Sequence, residues 1–528
     1  MSIKRLLIAT LLAATLVAGV ASVSTADTYH APMNSIPHGQ LGVHIVDQAY
    51  WGEGVSGISV DLKAGAKSGT ILCGGQTGTA CDFDALGALR MRANLVMPKC
   101  ADEVEENCIE DLAVYKSGTT AKPASFLRQV EGSTTEPDLA QQLTRGSTAS
   151  LWNAEGVSNS DGVETYSVLA VLNMQRNSAA SKFRAGSLSI MVMPYLEKSS
   201  KWQIPASVVQ NTRADGWSTV GNQGGNPDCA WVDQGKCGFV SDFAPETRVR
   251  LAVRLTNSLG GWFKGRLNAP DIAISNFSLG ANRVVLDAEP SSVPQFFSQL
   301  DLATGPTDLV SYMHAGSSAL SDPRAPGGTS STWSDQQSAF DWINKFRSFT
   351  KDTAFGVSTI WSAGTIQGGQ GGKCLSDTSK VLGIVSTNSM VYEGQAPSFD
   401  GKTLAYKVAG LHFLPGGAKA ARGTYDLVMR SDVARCLYGF GKAPVSATIS
   451  VVSDSGENKV ATTTVSEKDG WLKLGAYGFT FSENSIKAKI TQAGAASAKV
   501  SNVTCIRGKA SRKVTGVSPR CPAGYKKK

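Results

Sequence analysis

Imidazole chemistry has few candidates here: a chain of 528 residues carries five histidines, at positions 30, 38, 44, 314 and 412. His30, His38 and His44 lie close to the N-terminus, at spacings that fit no zinc pattern, so no metal is expected. The chain contains no G-x-S-x-G nucleophile elbow, no H-E-x-x-H, no phosphate-cradling G-x-x-x-x-G-K-[ST] and no dinucleotide-binding G-x-G-x-x-G in a plausible setting. On this basis no catalytic residue and no cofactor is expected. Carboxylate chemistry stays open, because the two acids of a glycosidase meet only in space and their sequence spacing is silent.

The densest charged stretch is "YDLVMRSDVARC", in which Asp426, Arg430, Asp432 and Arg435 precede Cys436. It could be a substrate clamp, but a structural ion-pair network at the end of a strand is the preferred reading. "SNSDGVE" at Ser158 and "DSGEN" at Asp454 resemble calcium loops without their regular oxygen spacing or distal glutamate, and are read as turns.

Two sets of residues are candidates for binding. Tyr50 and Trp51, and Trp217 and Trp231 around the Gly-rich "TVGNQGGNPDCAW", sit in loop-like contexts where aromatic faces could stack on sugars; packing is the alternative. The second set is cationic. The last 24 residues hold Arg507, Lys509, Arg512, Lys513, Arg520, Lys526, Lys527 and Lys528 and no acid, and these eight bases equal the net charge of the whole chain, +8. The body is thus close to neutral, and the positive field belongs to the C-terminus. Outside a cell such a block suits an anionic wall polymer, a glycan or lipid headgroups. Nucleic acid is not expected, since Tyr525 is the sole aromatic available for base stacking in that segment. The alternative is a solvated tail, but Cys505 and Cys521 bracket the segment, and a solubilising tail needs no staple.

The ten cysteines, an even number, favour a disulfide framework over free thiols. Three pairs share the spacing C-x7-C and no C-x-x-C occurs, which argues against zinc. Neighbour pairing gives Cys73–Cys81, Cys100–Cys108, Cys229–Cys237, Cys374–Cys436 and Cys505–Cys521, an assignment that rests on proximity. On the chain-entropy model each short bridge contributes roughly 2.6 kcal/mol, and the long Cys374–Cys436 loop roughly 4.3 kcal/mol.

An oxidising compartment agrees with the N-terminus. "MSIKR" precedes the apolar run "LLIATLLAATLVAGV" and the small-residue stretch "ASVSTAD", the order of a secretory signal peptide with cleavage after Ala26. The run is shorter than the ~20 residues of a spanning helix, and "LSIMVMPYL" from Leu188 is only strand-sized, so no transmembrane segment is expected after cleavage.

Short apolar or alternating runs separated by Gly, Asn, Asp and Ser must position all of these groups. "ISVDLKA", "ALRMRANLVM", "TYSVLAVLNMQ", "SLSIMVMPYL", "RVRLAVRLT" and "DIAISNFSL" predict strands, with a hairpin joining "RVRLAVRLT" to "WFKGRL" through Asn257, Gly260 and Gly261. Between Pro290 and Phe349, "SSVPQFFSQL" and "SDQQSAFDWINKFRSF" have helical features. The second opens with Ser334 and Gln337 at capping-box spacing, with Phe340, Ile343 and Phe346 as its packing stripe and "SDPRAPGGTSSTWS" as the loop before it. Strands return from Gly356 to Gly494. The expectation is a mainly β protein of two antiparallel, sandwich-like domains joined by a short, partly helical segment and held by disulfides. Its parts are a signal peptide (1–26), an N-terminal β-rich domain (27–289), a linker with helices (290–349), a C-terminal β domain (350–495) and a basic tail (496–528).

"TNSMVYEG", "LAYKVAGLHFLPGG", "GTYDLVMRSDVARCLYGFGKAPVSATISVV", "EKDGWLKLGAYGFTFS" and the tail resemble a set of secreted actinobacterial proteins, over about Leu382 to Lys528. A looser likeness runs through "STASLWNAEGVSNSDGVETYSVLAV" and "CAWVDQGKCGF". The resemblance implies export and an envelope setting and carries no site residue. The leading expectation is an exported envelope or surface protein that binds or supports, its basic tail meeting an anionic wall polymer. The alternative is an extracellular glycan hydrolase with paired carboxylates.

Overall fold

The computed structural model describes residues 36–528 except 48–55, 63–69, 74–87, 133, 199–209, 213–217, 221–230, 234–235, 315–327, 367–373, 376, 378–379, 442–444, 454–457, 460–461, 482–483, 493–500, 509, 517–520 and 523. The expected signal peptide lies outside the described residues. No helix among them is long and apolar enough to cross a membrane.

The fold is mainly β and is built from several sheets, as the composition predicts. Most ladders are antiparallel. Two are parallel: Gln40–Val46 runs alongside Gly328–Trp333, and the start of Gly261–Asn276 alongside Val381–Thr387. The boundary drawn at 289/290 falls inside the strand Ala281–Asp301, and ladders cross it, since Gly356–Thr365 pairs with Arg184–Lys198 as well as with Gly261–Asn276. One apolar cluster packs Trp152, Tyr166 and Trp361, and a second packs Tyr406, Tyr425, Phe479 and Phe481. A third lies under the helix Gln337–Phe346, where Phe340, Ile343 and Phe346 meet Leu41, Val43 and Phe296.

Four local expectations change. "SSVPQFFSQL" is strand, not helix: it continues Ala281–Asp301, its first half pairing with Gly356–Thr365 and its second with Gln40–Val46, and Pro294 would have interrupted a helix at its centre. "GTSSTW", expected in a loop, is the strand that lies parallel to Gln40–Val46. The hairpin through Asn257 is absent; Thr247–Thr256 instead pairs with Cys108–Lys116 and Ala281–Asp301. The turn that closes is Phe277–Gly280, whose product Ala281–Asp301 inserts between the two strands expected to pair. Ser334 does not cap its helix. Its hydroxyl donates instead to Asp47 at 2.9 Å.

That contact leads to the most buried charge. Arg266 has no exposed surface. Its Nε donates to Asp47 Oδ1 at 2.9 Å, and Nη1 donates to the carbonyls of Thr387 (2.9 Å) and Ser389 (2.5 Å). Its Cζ lies 4.4 Å from the centre of the Tyr392 ring, a cation–π contact that needs the ring neutral; burial pushes the Tyr392 hydroxyl pKa up. The chain passes tightly here, because a Cβ on Gly265 would lie 2.1 Å from the Ser362 carbonyl oxygen. A single guanidinium thus joins the end of Gln40–Val46 to the segment after Val381–Thr387, and Asp47 extends the link to Ser334 after Gly328–Trp333.

Removing one member of a buried pair strands the other charge, so Arg266→Met lowers stability by about 3–5 kcal/mol in urea denaturation, and adding Asp47→Leu restores part of it. A loss below about 1 kcal/mol contradicts this role.

Candidate functional site

The basic C-terminus is a folded sheet. Ser501–Arg507 pairs antiparallel with Ala510–Gly516 on one side and Lys526–Lys527 on the other. Gly508 turns the first hairpin in the left-handed region (φ 58°), where glycine is free of strain. Three short strands are marginal alone. Here the central Cys505 is fully buried and bonded to Cys521 (Cα–Cα 5.5 Å), and the amide of Lys528 donates to Thr504 O at 2.8 Å, so the chain end is held. Arg507, Arg512, Lys513, Lys526, Lys527 and Lys528 are all exposed. Among the described residues no acid forms an ion pair with any of them.

Lys509, Arg520, Tyr50, Trp51 and Trp217 lie outside the described residues, and Trp231 is placed only by its backbone, in the strand Trp231–Asp233. Cys100–Cys108 and Cys374–Cys436 are disulfides as expected (Cα–Cα 5.0 and 5.8 Å). Cys73–Cys81 and Cys229–Cys237 involve residues outside the described set. No group of three or more His, Cys, Asp or Glu side chains stands together as a metal site among the described residues. "SNSDGVE" is a turn in which Asn159 Oδ1 accepts the amides of Asp161 and Val163, both at 3.0 Å.

The stretch "YDLVMRSDVARC" divides. It changes from strand to helix at Ser431, and its charges find different partners. Arg430 and Lys380 hold Asp432 at 3.0 and 3.2 Å, and Arg435 holds Glu467 at 2.7 Å, which is the ion-pair reading. Asp426 turns into a second cluster that sequence reasoning missed.

That cluster is organised by an irregularity in Gly261–Asn276 between Asn268 and Asp271, where Ala269 takes a left-handed conformation (φ 47°) costing roughly 1–2 kcal/mol. The distortion aims two adjacent donors at two carboxylates. The Ala269 amide donates to Asp426 Oδ2 at 3.3 Å, and Asn268 Nδ2 donates to Glu289 Oε2 at 2.9 Å. Tyr477 Oη also donates to Asp426, and Ser117 Oγ donates to Glu289 at 2.8 Å. Nearby, Arg248 holds Asp287 at 2.6 Å and Asp271 at 3.3 Å, Lys473 pairs with Asp271, and Tyr115 Oη donates to Asp287 at 2.7 Å. The cations are thus committed to Asp271 and Asp287. Among the described residues neither Asp426 nor Glu289 has an ion pair.

Burial therefore pushes the Asp426 carboxyl up to about 6, the Tyr477 and Ala269 hydrogen bonds oppose the rise, and the charge of Glu289 adds to it. A carboxyl raised in this way beside a second acid is what acid–base hydrolysis requires. Here both carboxylates bind internal donors and Asp426 is 5% exposed, so the cluster fastens the irregular strand to the ladder of Arg422–Arg430 with Trp471–Thr480. A signal was present in the sequence: "VVLDAEP" puts Asp287 and Glu289 on one face of an otherwise apolar strand.

Comparison of the chain with protein-family models, with curated proteins and with solved structures finds no match.

Because the Asp426 carboxyl lies near 6 in the fold against 3.8 in the unfolded chain, the fold binds the extra proton. The stabilisation is complete below about pH 4 and is lost as pH rises through about 6. Relative to Asp426→Asn, the parent protein loses roughly 2–3 kcal/mol between those limits. Denaturation midpoints of both proteins across that range check this, and parallel pH profiles would contradict it.

Proposed function

We propose that this protein is exported and held at a cell envelope through an electrostatic contact between its C-terminal sheet and an anionic polymer, acting as a binding or structural surface protein. The observation that carries the reading is the concentration of six exposed bases, with no acid from Ser501 to Lys528, on a sheet closed by its own disulfide. A charge block meant only for solubility gains nothing from being ordered. Ordering fixes the cations relative to one another, which lowers the entropy lost on meeting a repeating anion. Disulfides and the signal-like N-terminus support an oxidising, external setting. The body of the chain is near neutral in sum, so the net positive charge belongs to this terminal segment.

Full-length protein and a variant ending at Val500 separate this from the alternatives. The full chain sediments with purified anionic envelope at low salt and is released as ionic strength approaches about 0.5 M, while the shortened chain does not sediment. Cys505→Ser with Cys521→Ser keeps every charge but releases the loop, removing roughly 3 kcal/mol from the sheet. Binding weaker than that of the parent is expected. Equal, salt-insensitive binding by full and shortened chains would refute the reading.

A further inference from the structure

The following rests on the reading just given and asks which face of the sheet acts and on what. Along paired antiparallel strands, side chains alternate between faces and directly opposed residues share one. Cys505 lies opposite Arg512 and Lys527, and Arg507 opposite Ala510. Val503 and Val514, also opposed, are partly buried on that face, and the Cys505–Cys521 bridge packs there, so it is covered and its cations sit at the rim. On the other face Thr504 lies opposite Lys513 and bonds the Lys528 amide, and Ile506 lies opposite Ser511 and Lys526. Thr504, Ile506, Ser511, Lys513, Lys526 and Lys528 are all exposed. The six cations therefore divide three and three, with one open face and one covered face.

We infer that the open face, with Lys513, Lys526 and Lys528 around the Thr504 and Ser511 hydroxyls, is the binding surface, and that its partner is a linear phosphodiester polymer without bases. The open face carries ammonium groups and hydroxyls and neither of the described arginines. An ammonium is a compact charge with rotatable donors that meets a tetrahedral phosphate from any side, whereas the guanidinium fork, which clamps carboxylate and phosphate alike in a fixed plane, is not described on this face. Both described guanidinium groups, Arg507 and Arg512, stand on the covered face. Among the described residues no aromatic ring stands on the open face, which leaves stacking on bases or sugar rings without a platform there. Lys526 and Lys528, two residues apart, present charges about 7 Å apart along the strand, and Lys513 stands roughly 10 Å from Lys528 across the sheet. Regularly spaced monoanions on a flexible chain fit that pattern.

The experiment uses full-length protein and two variants of equal charge, Lys513→Gln/Lys526→Gln/Lys528→Gln and Arg507→Gln/Arg512→Gln/Lys527→Gln. Binding is measured to immobilised poly(glycerol phosphate), to polygalacturonate and to phosphatidylglycerol vesicles at about 0.1 M NaCl. All six positions are exposed and unpaired with described acids, so both variants fold. The inference expects the open-face variant to lose roughly 10-fold or more on poly(glycerol phosphate), the covered-face variant less than about 3-fold, and the parent to bind polygalacturonate and vesicles more weakly. Equal losses in the two variants overturn the choice of face, and tighter binding to polygalacturonate or vesicles overturns the choice of partner. Either result leaves the envelope reading standing. Unchanged binding in both variants overturns that reading as well.

Discussion

A charge taken out of water must be answered by the protein itself, and a charge left in water without a partner remains available to something else. This constraint orders the whole molecule. Arg266, with no exposure, finds an acid, carbonyls and an aromatic ring within reach, supplied by Asp47 and by the remote stretch from Thr387 to Tyr392. Asp426, almost as deeply buried, has no cation beside it among the described residues and is answered by a tyrosine hydroxyl and a backbone amide, its carboxyl pushed up by burial. The C-terminal sheet is the opposite case, with six exposed cations and no described acid beside them.

The same constraint separates structural polar groups from functional ones. Asp271, Asp287, Glu289 and Asp426 gather around the irregular strand, but their oxygens are bound by Arg248, Lys473, Tyr115, Ser117, Asn268 and Tyr477. A network satisfied in this way adds rigidity and holds strain at Ala269 in place. In the terminal sheet the disulfide supplies the rigidity, and the charges are left over.

Much of this was legible in the sequence, where local physics decides. Alternation and turn residues predicted the β class, pairing of neighbouring cysteines predicted the three described disulfides, and the charge count located the basic block. Phe340, Ile343 and Phe346 were legible as a packing stripe because helix periodicity is intrinsic to the chain. What failed depends on remote partners. "SSVPQFFSQL" is a strand because two other strands flank it, and Ser334 serves Asp47, 287 residues away, although its spacing suited a helix cap. Arg266 looked like any charged strand residue. The convergence of Asp426 on Glu289 follows from a distorted strand that no local pattern marks.

Hydrogen–deuterium exchange on the intact protein, with and without poly(glycerol phosphate), tests the account most directly because it reports the contact residue by residue. Protection confined to Ser501–Lys528, and abolished by high salt, is the predicted result. Protection around Asp426 and Glu289, with none in the C-terminal sheet, would contradict it.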